Sequence, residues 1–142
     1  MKLSDAISIA VEAHKNQKDK AGMPYILHPM TVMNNVDTED EKVVAVLHDV
    51  VEDTDITLDM LISKGLSKEQ AEALFLLTKP EDITYMDYII RLSKNHIAKR
   101  VKIEDLYHNL DFSRLPDDYD TSYIKKKYEK ALNYLMSENL NS

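Results

Sequence analysis

The sequence predicts an all-α protein, and three observations carry that prediction. Apolar residues recur three and four positions apart through most of the chain, the period of a helix buried on one face. Only 2 glycines and 4 prolines interrupt 142 residues, whereas an all-β chain needs a turn residue every few positions. Several periodic stretches also follow a Ser or Thr placed to cap a helix, at Ser4, Thr38, Thr57, Ser67 and Thr84.

The first helix is read from Leu3, Ala6, Ile7, Ala10, Val11 and His14, about three turns with Ser4 as its cap. Lys18 to Pro24 breaks it. Gly22 favours a turn, and Pro24 biases Met23 to an extended conformation. A short second helix is expected from near Pro29, a residue suited to a first helical turn, with Met30, Val32, Met33 and Val36. Thr38 and Glu41 have capping-box spacing and open a helix read from Lys42 to about Val51. Val43, Val44, Val46, Leu47, Val50 and Val51 make it apolar over more than one stripe, which places it at the centre of the fold. Further helices start near Thr57 and Ser67, with Gly65 as the stop between them. Ala71, Leu74, Phe75 and Leu77 are the expected buried face of the second. After a loop at Lys79–Asp82, Thr84 opens a helix through Leu92, and another runs from Ile97 to about Leu110. A polar linker around Pro116-Asp117-Asp118 precedes a last helix, Ser122 to about Met136, with Tyr128, Ala131, Leu132 and Leu135 on one side. No repeat or internal boundary divides the chain, so residues 1–142 are read as one domain.

Composition narrows the function. Without cysteine there is no disulfide or thiolate metal site, and any metal must be held by nitrogen and oxygen. No apolar run approaches the roughly 20 residues that span a bilayer. The first residues lead directly into an amphipathic pattern containing Asp5 and Glu12, unlike a signal peptide, so a cytoplasmic location is expected. The 25 acidic and 18 basic residues give a net charge of −7, which opposes broad nucleic-acid binding. A small anionic ligand remains compatible, because a metal ion and a few lysines can reverse the sign inside a cleft.

The helix placed at the core carries His48-Asp49 and then Glu52-Asp53. On a continuous helix His48 would sit over Glu52, and Asp49 over Asp53. A His-Asp pair by itself carries little weight. A cluster of this size within valines is different, because burying it uncompensated is costly and a divalent cation would meet it.

Three segments in order, Gln17–Pro29 (QKDKAGMPYILHP), Leu47–Thr54 (LHDVVEDT) and Val101–Asn109 (VKIEDLYHN), resemble the HD hydrolase domain of the RelA/SpoT family, with Leu77-Thr78-Lys79 fitting as well. The likeness is to its stand-alone, single-domain members and covers roughly residues 3 to 115. It implies a metal-dependent hydrolase of the alarmone ppGpp, with His28, His48, Asp49 and Asp105 as metal ligands. Glu52 and Asp53 match the acidic pair that activates and orients water, and Asn109 matches a residue at the nucleotide-binding face. Lys20, Tyr25 and Lys102 are further substrate-contact candidates, Lys18 and His14 weaker ones, and His108 a rival contact on the Asp105 face. His96, at a helix start, is expected to be exposed.

A mixed imidazole and carboxylate set suits manganese and also accepts iron, cobalt or zinc. Such an ion acidifies water and takes up charge on phosphoryl oxygens, while a nearby carboxylate accepts a proton. The chain departs from the family where Asp19 replaces an arginine that stacks on guanine, and where Leu106 and Phe112 replace an arginine and a threonine. Arginine to aspartate inverts the charge and removes the planar fork. Poor guanine discrimination is therefore expected, with Asp19→Arg improving affinity. At 142 residues no companion synthetase domain is expected. Three readings follow: a ppGpp 3′-pyrophosphohydrolase, an HD phosphohydrolase of another nucleotide or phosphorylated metabolite, and a non-catalytic metal- and nucleotide-binding module. Glu52 and Asp53 weigh against the third.

Overall fold

The computed structural model describes residues 1–112, 115 and 120–140, the last three of these as backbone only. The helices are α1 (Leu3–His14), α2 (Leu27–Asn34), α3 (Glu39–Leu47), α4 (Val50–Asp53), α5 (Leu58–Ser63), α6 (Lys68–Leu77), α7 (Tyr85–Leu92), α8 (His96–Asn109) and α9 (Ser122–Leu140). The described residues form no strand, only an isolated antiparallel bridge between Lys18 and Pro24 that closes the loop after α1.

α3 is the centre. Its residues Val43 to Leu47 are completely buried, and α1, α2, α6 and α8 pack around it. The start of α3 is held by the capping box: Glu41 N–H donates to Thr38 Oγ1 at 3.1 Å, and Thr38 N–H donates to Glu41 Oε1 at 3.0 Å. Thr57 and Ser67 open α5 and α6 with the same box, and the Thr84 hydroxyl caps α7 by accepting from Asp87 N–H. Gly65 takes φ +112, which side-chain-bearing residues avoid, and turns the chain between α5 and α6.

Several expectations are corrected. Ser4 lies inside α1, where Lys2 occupies the cap position without a side-chain bond. α2 begins at Leu27, two residues before Pro29, whose missing N–H still falls in the first turn, where no intrahelical acceptor exists. Phe75 is 59% exposed, and α6 instead buries Gln70, Ala73, Leu74 and Leu77. α9 continues past Met136 to Leu140, while Pro116-Asp117-Asp118 falls outside the described residues.

The largest correction concerns the central helix, which is broken at His48-Asp49 into α3 and α4. In an uninterrupted helix the Ala45 carbonyl would accept from Asp49 N–H. Here that carbonyl is taken by His48, whose backbone N–H reaches it at 3.4 Å and whose ring Nδ1 reaches it at 2.5 Å. The bond that orients the histidine ends the helix.

Candidate active site

The break lifts His48 and Asp49 toward α2 and α8, and four side chains from three segments meet there. His28 comes from the first turn of α2 and Asp105 from α8, both buried. His28 Nε2 is 2.8 Å from Asp105 Oδ1 and 3.7 Å from Asp49 Oδ2. His48 Nε2 is 3.1 Å from Asp49 Oδ2 and 3.2 Å from Asp105 Oδ1.

A carbonyl oxygen can only accept, so His48 Nδ1 carries the hydrogen directed at Ala45. Nε2 faces two carboxylate oxygens, and a positive charge there, a proton on Nε2 or a cation bound by its lone pair, satisfies them. His28, His48 and Asp49 offer ligand atoms all within 4.8 Å of one another, a set that fits a divalent cation, and Asp105 Oδ1 lies 2.8 and 3.2 Å from the two imidazole nitrogens.

The surrounding partners hold this geometry. Tyr25 donates its hydroxyl to Asp49 Oδ2 at 2.5 Å, Lys102 Nζ meets Asp105 Oδ2 at 2.9 Å, and Asn109 Nδ2 donates to Asp105 Oδ1 at 3.2 Å. His28 Nδ1 lies 2.6 Å from His108 Nδ1, a contact in which one ring donates and the other accepts. Such outer contacts fix the orientation of metal-binding side chains.

The electrostatics follow from the crowding. Burial opposes charge on His48, but Asp49 and Asp105 raise its pKa well above the usual histidine value. Burial alone would raise Asp49, yet His48 beside it brings it down to about 2. Asp105 is likewise held well below the carboxylate range, against its burial, by Lys102 and His48.

A cavity of about 510 Å³ opens onto this cluster. Glu52 lines it, with Oε1 accepting Lys79 N–H at 2.9 Å. Glu52 is exposed as a residue, but the walls enclose its carboxyl enough for burial to push its pKa up. Asp53 stands outside the lining, its pKa also raised by partial burial and next by Asp49. Its carbonyl accepts from Gln17 Nε2 at 3.0 Å, and Gln17 Oε1 accepts from His14 Nδ1 at 2.9 Å. Gln17, which the sequence did not single out, thus ties the end of α1 to the end of α4. His14 is fully buried behind Tyr25, their rings 5.1 Å apart, rather than on the cavity wall. His96 is exposed at the start of α8.

Lys20, Tyr25, Asn109 and Lys102 all line the cavity. The Lys102 ammonium pairs with Asp105, which holds its pKa well above the usual lysine value despite burial, and so positions that carboxylate from the cavity wall. Leu106 is fully buried in the core and offers nothing to a ligand, whereas Phe112 does face the cavity.

Asp19 has a structural task. Its Oδ1 accepts from Ala21 N–H and Met23 N–H, both at 2.9 Å, closing the 18–24 loop. Asp19→Arg removes both acceptors. We therefore expect it to weaken nucleotide binding, read as a higher Kd in calorimetry, in place of the gain expected from sequence. Tighter binding would restore the earlier expectation.

The far wall, with Tyr85 and Tyr88 from α7 and Lys127 and Tyr128 from α9, escaped the sequence reading. Tyrosines at helical spacing read as core, and nothing in their spacing signals a ligand.

No protein-family model matches the chain. A zebrafish (Danio rerio) protein named guanosine-3′,5′-bis(diphosphate) 3′-pyrophosphohydrolase MESH1 is 32% identical over 150 aligned positions, covering 91% of this chain and 79% of that one. A Synechocystis protein named probable guanosine-3′,5′-bis(diphosphate) 3′-pyrophosphohydrolase is 38% identical over 119 positions, 74% of this chain but 16% of that longer one. A solved structure described as "A metazoan ortholog of SpoT hydrolyzes ppGpp and plays a role in starvation responses" superposes with a TM-score of 0.72 at 20% identity. It covers 96% of this chain and 94% of the other, a likeness of fold. No helix among the described residues is long and apolar enough to cross a membrane.

Proposed function

The chain belongs to the guanosine-3′,5′-bis(diphosphate) 3′-pyrophosphohydrolases, stand-alone hydrolases of the RelA/SpoT type, and from that premise we propose that it converts ppGpp to GDP and pyrophosphate. The observation that carries this reading is the convergence of two imidazoles and two carboxylates beside a cavity that Glu52 lines.

In this reading His28, His48, Asp49 and Asp105 hold a divalent metal, manganese by preference. When bound, it supplies Lewis-acid polarisation of the phosphoryl oxygens and lowers the pKa of water. Tyr25, Lys102, Asn109 and His108 keep the four side chains aimed. Glu52 orients the attacking water and accepts its proton, with Asp53 beside it in support. Water oxygen bonds to the phosphorus attached to ribose O3′, and the P–O3′ bond breaks. O3′ takes up a proton to become the 3′-hydroxyl of GDP, and pyrophosphate leaves. Lys20, on the exposed rim, meets phosphate oxygens.

The test is to incubate the purified, manganese-loaded protein with a panel of phosphorylated nucleotides that includes ppGpp, and to identify products by chromatography. GDP and pyrophosphate in equal amounts support the proposal. Asp19, Leu106 and Phe112 favour a second reading, an HD phosphohydrolase of another nucleotide. Rapid turnover of a different phosphate ester with ppGpp left intact would select it.

A further inference from the structure

The wall formed by α7 and α9 takes no part in the reaction outlined above, yet it is built from charge and aromatic surface. Lys127 Nζ lies 4.4 Å from the centroid of the Tyr85 ring and 6.0 Å from that of Tyr128, and the two rings are 6.1 Å apart. All three side chains line the cavity. The Tyr85 hydroxyl oxygen is buried and makes no direct hydrogen bond among the described residues, with the Lys102 ammonium beside it. Buried polar atoms are nearly always paired, so an orphan on a cavity wall points to a ligand atom that completes it.

The cations on this cavity are not equivalent. Lys102 is paired with Asp105, and the Lys79 ammonium donates to the Pro80 carbonyl at 3.0 Å. Lys127 rests on aromatic faces, and no carboxylate lies within 4.0 Å of it among the described residues. Rings take the place of part of its water shell without neutralising it. In a protein of net charge −7, that leaves a half-buried positive charge facing a cavity. Lys102 joins this wall to the four-donor cluster, with Nζ 5.9 Å from the Tyr85 centroid and 2.9 Å from Asp105 Oδ2.

We propose that Lys127, with Tyr85 and Tyr128, forms a second anionic subsite that holds the phosphate arm of the substrate remote from the bond that breaks. The inference rests on the reading of the site as a hydrolase of a doubly phosphorylated nucleotide, and assigns Lys127 the 5′ arm. Lys127 donates to its phosphate oxygens and the Tyr85 hydroxyl supplies a further donor.

The test compares guanosine 3′,5′-bis(diphosphate) with guanosine 3′-diphosphate, which lacks the 5′ arm, on the metal-loaded full chain. Lys127→Met keeps most of the stem over Tyr85 and removes the charge, with Lys127→Gln as a second neutral variant. Calorimetry should show the Kd of the first ligand rising about tenfold relative to that of the second, the scale of one charge-assisted hydrogen bond. Lys127→Arg should recover most of the loss. Equal changes for both ligands, or no change for either, overturn the subsite. If the unmodified protein hydrolyses neither nucleotide, the reaction reading falls while the ratio of dissociation constants still decides the subsite. Failure of the unmodified protein to bind either nucleotide overturns the subsite as well.

Discussion

His48→Ala is expected to lower turnover about a thousandfold or more and to remove the bound metal with it. The expectation follows from where Nε2 sits, 3.1 and 3.2 Å from the two carboxylate oxygens it would share an ion with. The polarisation lost is worth several kcal/mol in the transition state, and each 1.36 kcal/mol is about a tenfold change in rate. His48 is a better choice than Asp105 for this test. Removing Asp105 would strand the Lys102 ammonium in a buried place, at a cost of about 3–5 kcal/mol, and confuse unfolding with loss of metal. Two measurements separate the causes: metal content of the purified variant, and the shift in thermal midpoint on adding manganese. Ligand present at a hundred times its Kd stabilises the unmodified fold by about 2.7 kcal/mol, and the variant should show almost none of that shift. A variant that keeps both its metal and its thermal shift would remove His48 from the metal set.

Much of the fold was legible because its signals are local. A hydroxyl followed three residues later by a suitable partner makes a cap wherever it occurs, and Thr38, Thr57, Ser67 and Thr84 all do so. Ser4 failed for an equally physical reason. α1 starts one residue before it, and the Lys2 carbonyl already accepts from Ala6 N–H. His48 and Asp49 were legible as polar residues where a core helix should have none, whereas His28 and Asp105 were legible only through the resemblance to the family. The helix break was not, since it depends on one side-chain nitrogen outcompeting a backbone amide for the Ala45 carbonyl. Nor does spacing tell whether a lysine faces solvent, a phosphate or a buried aspartate. Lys102 has the last of these, and Lys127 has aromatic faces. Both assignments depend on contacts between helices far apart in the chain.

Glu52→Gln should separate water activation from metal binding, and its expected effect is a loss of roughly a hundredfold or more in kcat with metal content unchanged. Glu52 is the carboxylate that lines the cavity without entering the four-donor cluster, and burial pushes its pKa up. Glutamine keeps the shape, and its amide oxygen can still accept Lys79 N–H, so the α4 end and the Lys79 loop should stay in place. What it cannot do is take a proton from water. Asp53→Asn is expected to act in the same direction, since Asp53 neighbours Tyr25 while its backbone stays tied to Gln17 through a carbonyl that the substitution leaves alone. An interaction made only in the transition state lowers kcat and kcat/KM together, whereas a lost substrate contact raises KM. Steady-state kinetics on metal-loaded variants therefore distinguish the two roles. Parallel loss of metal and activity would make Glu52 a ligand, and full activity in Glu52→Gln would move the proton to another acceptor, with Asp53 next in line.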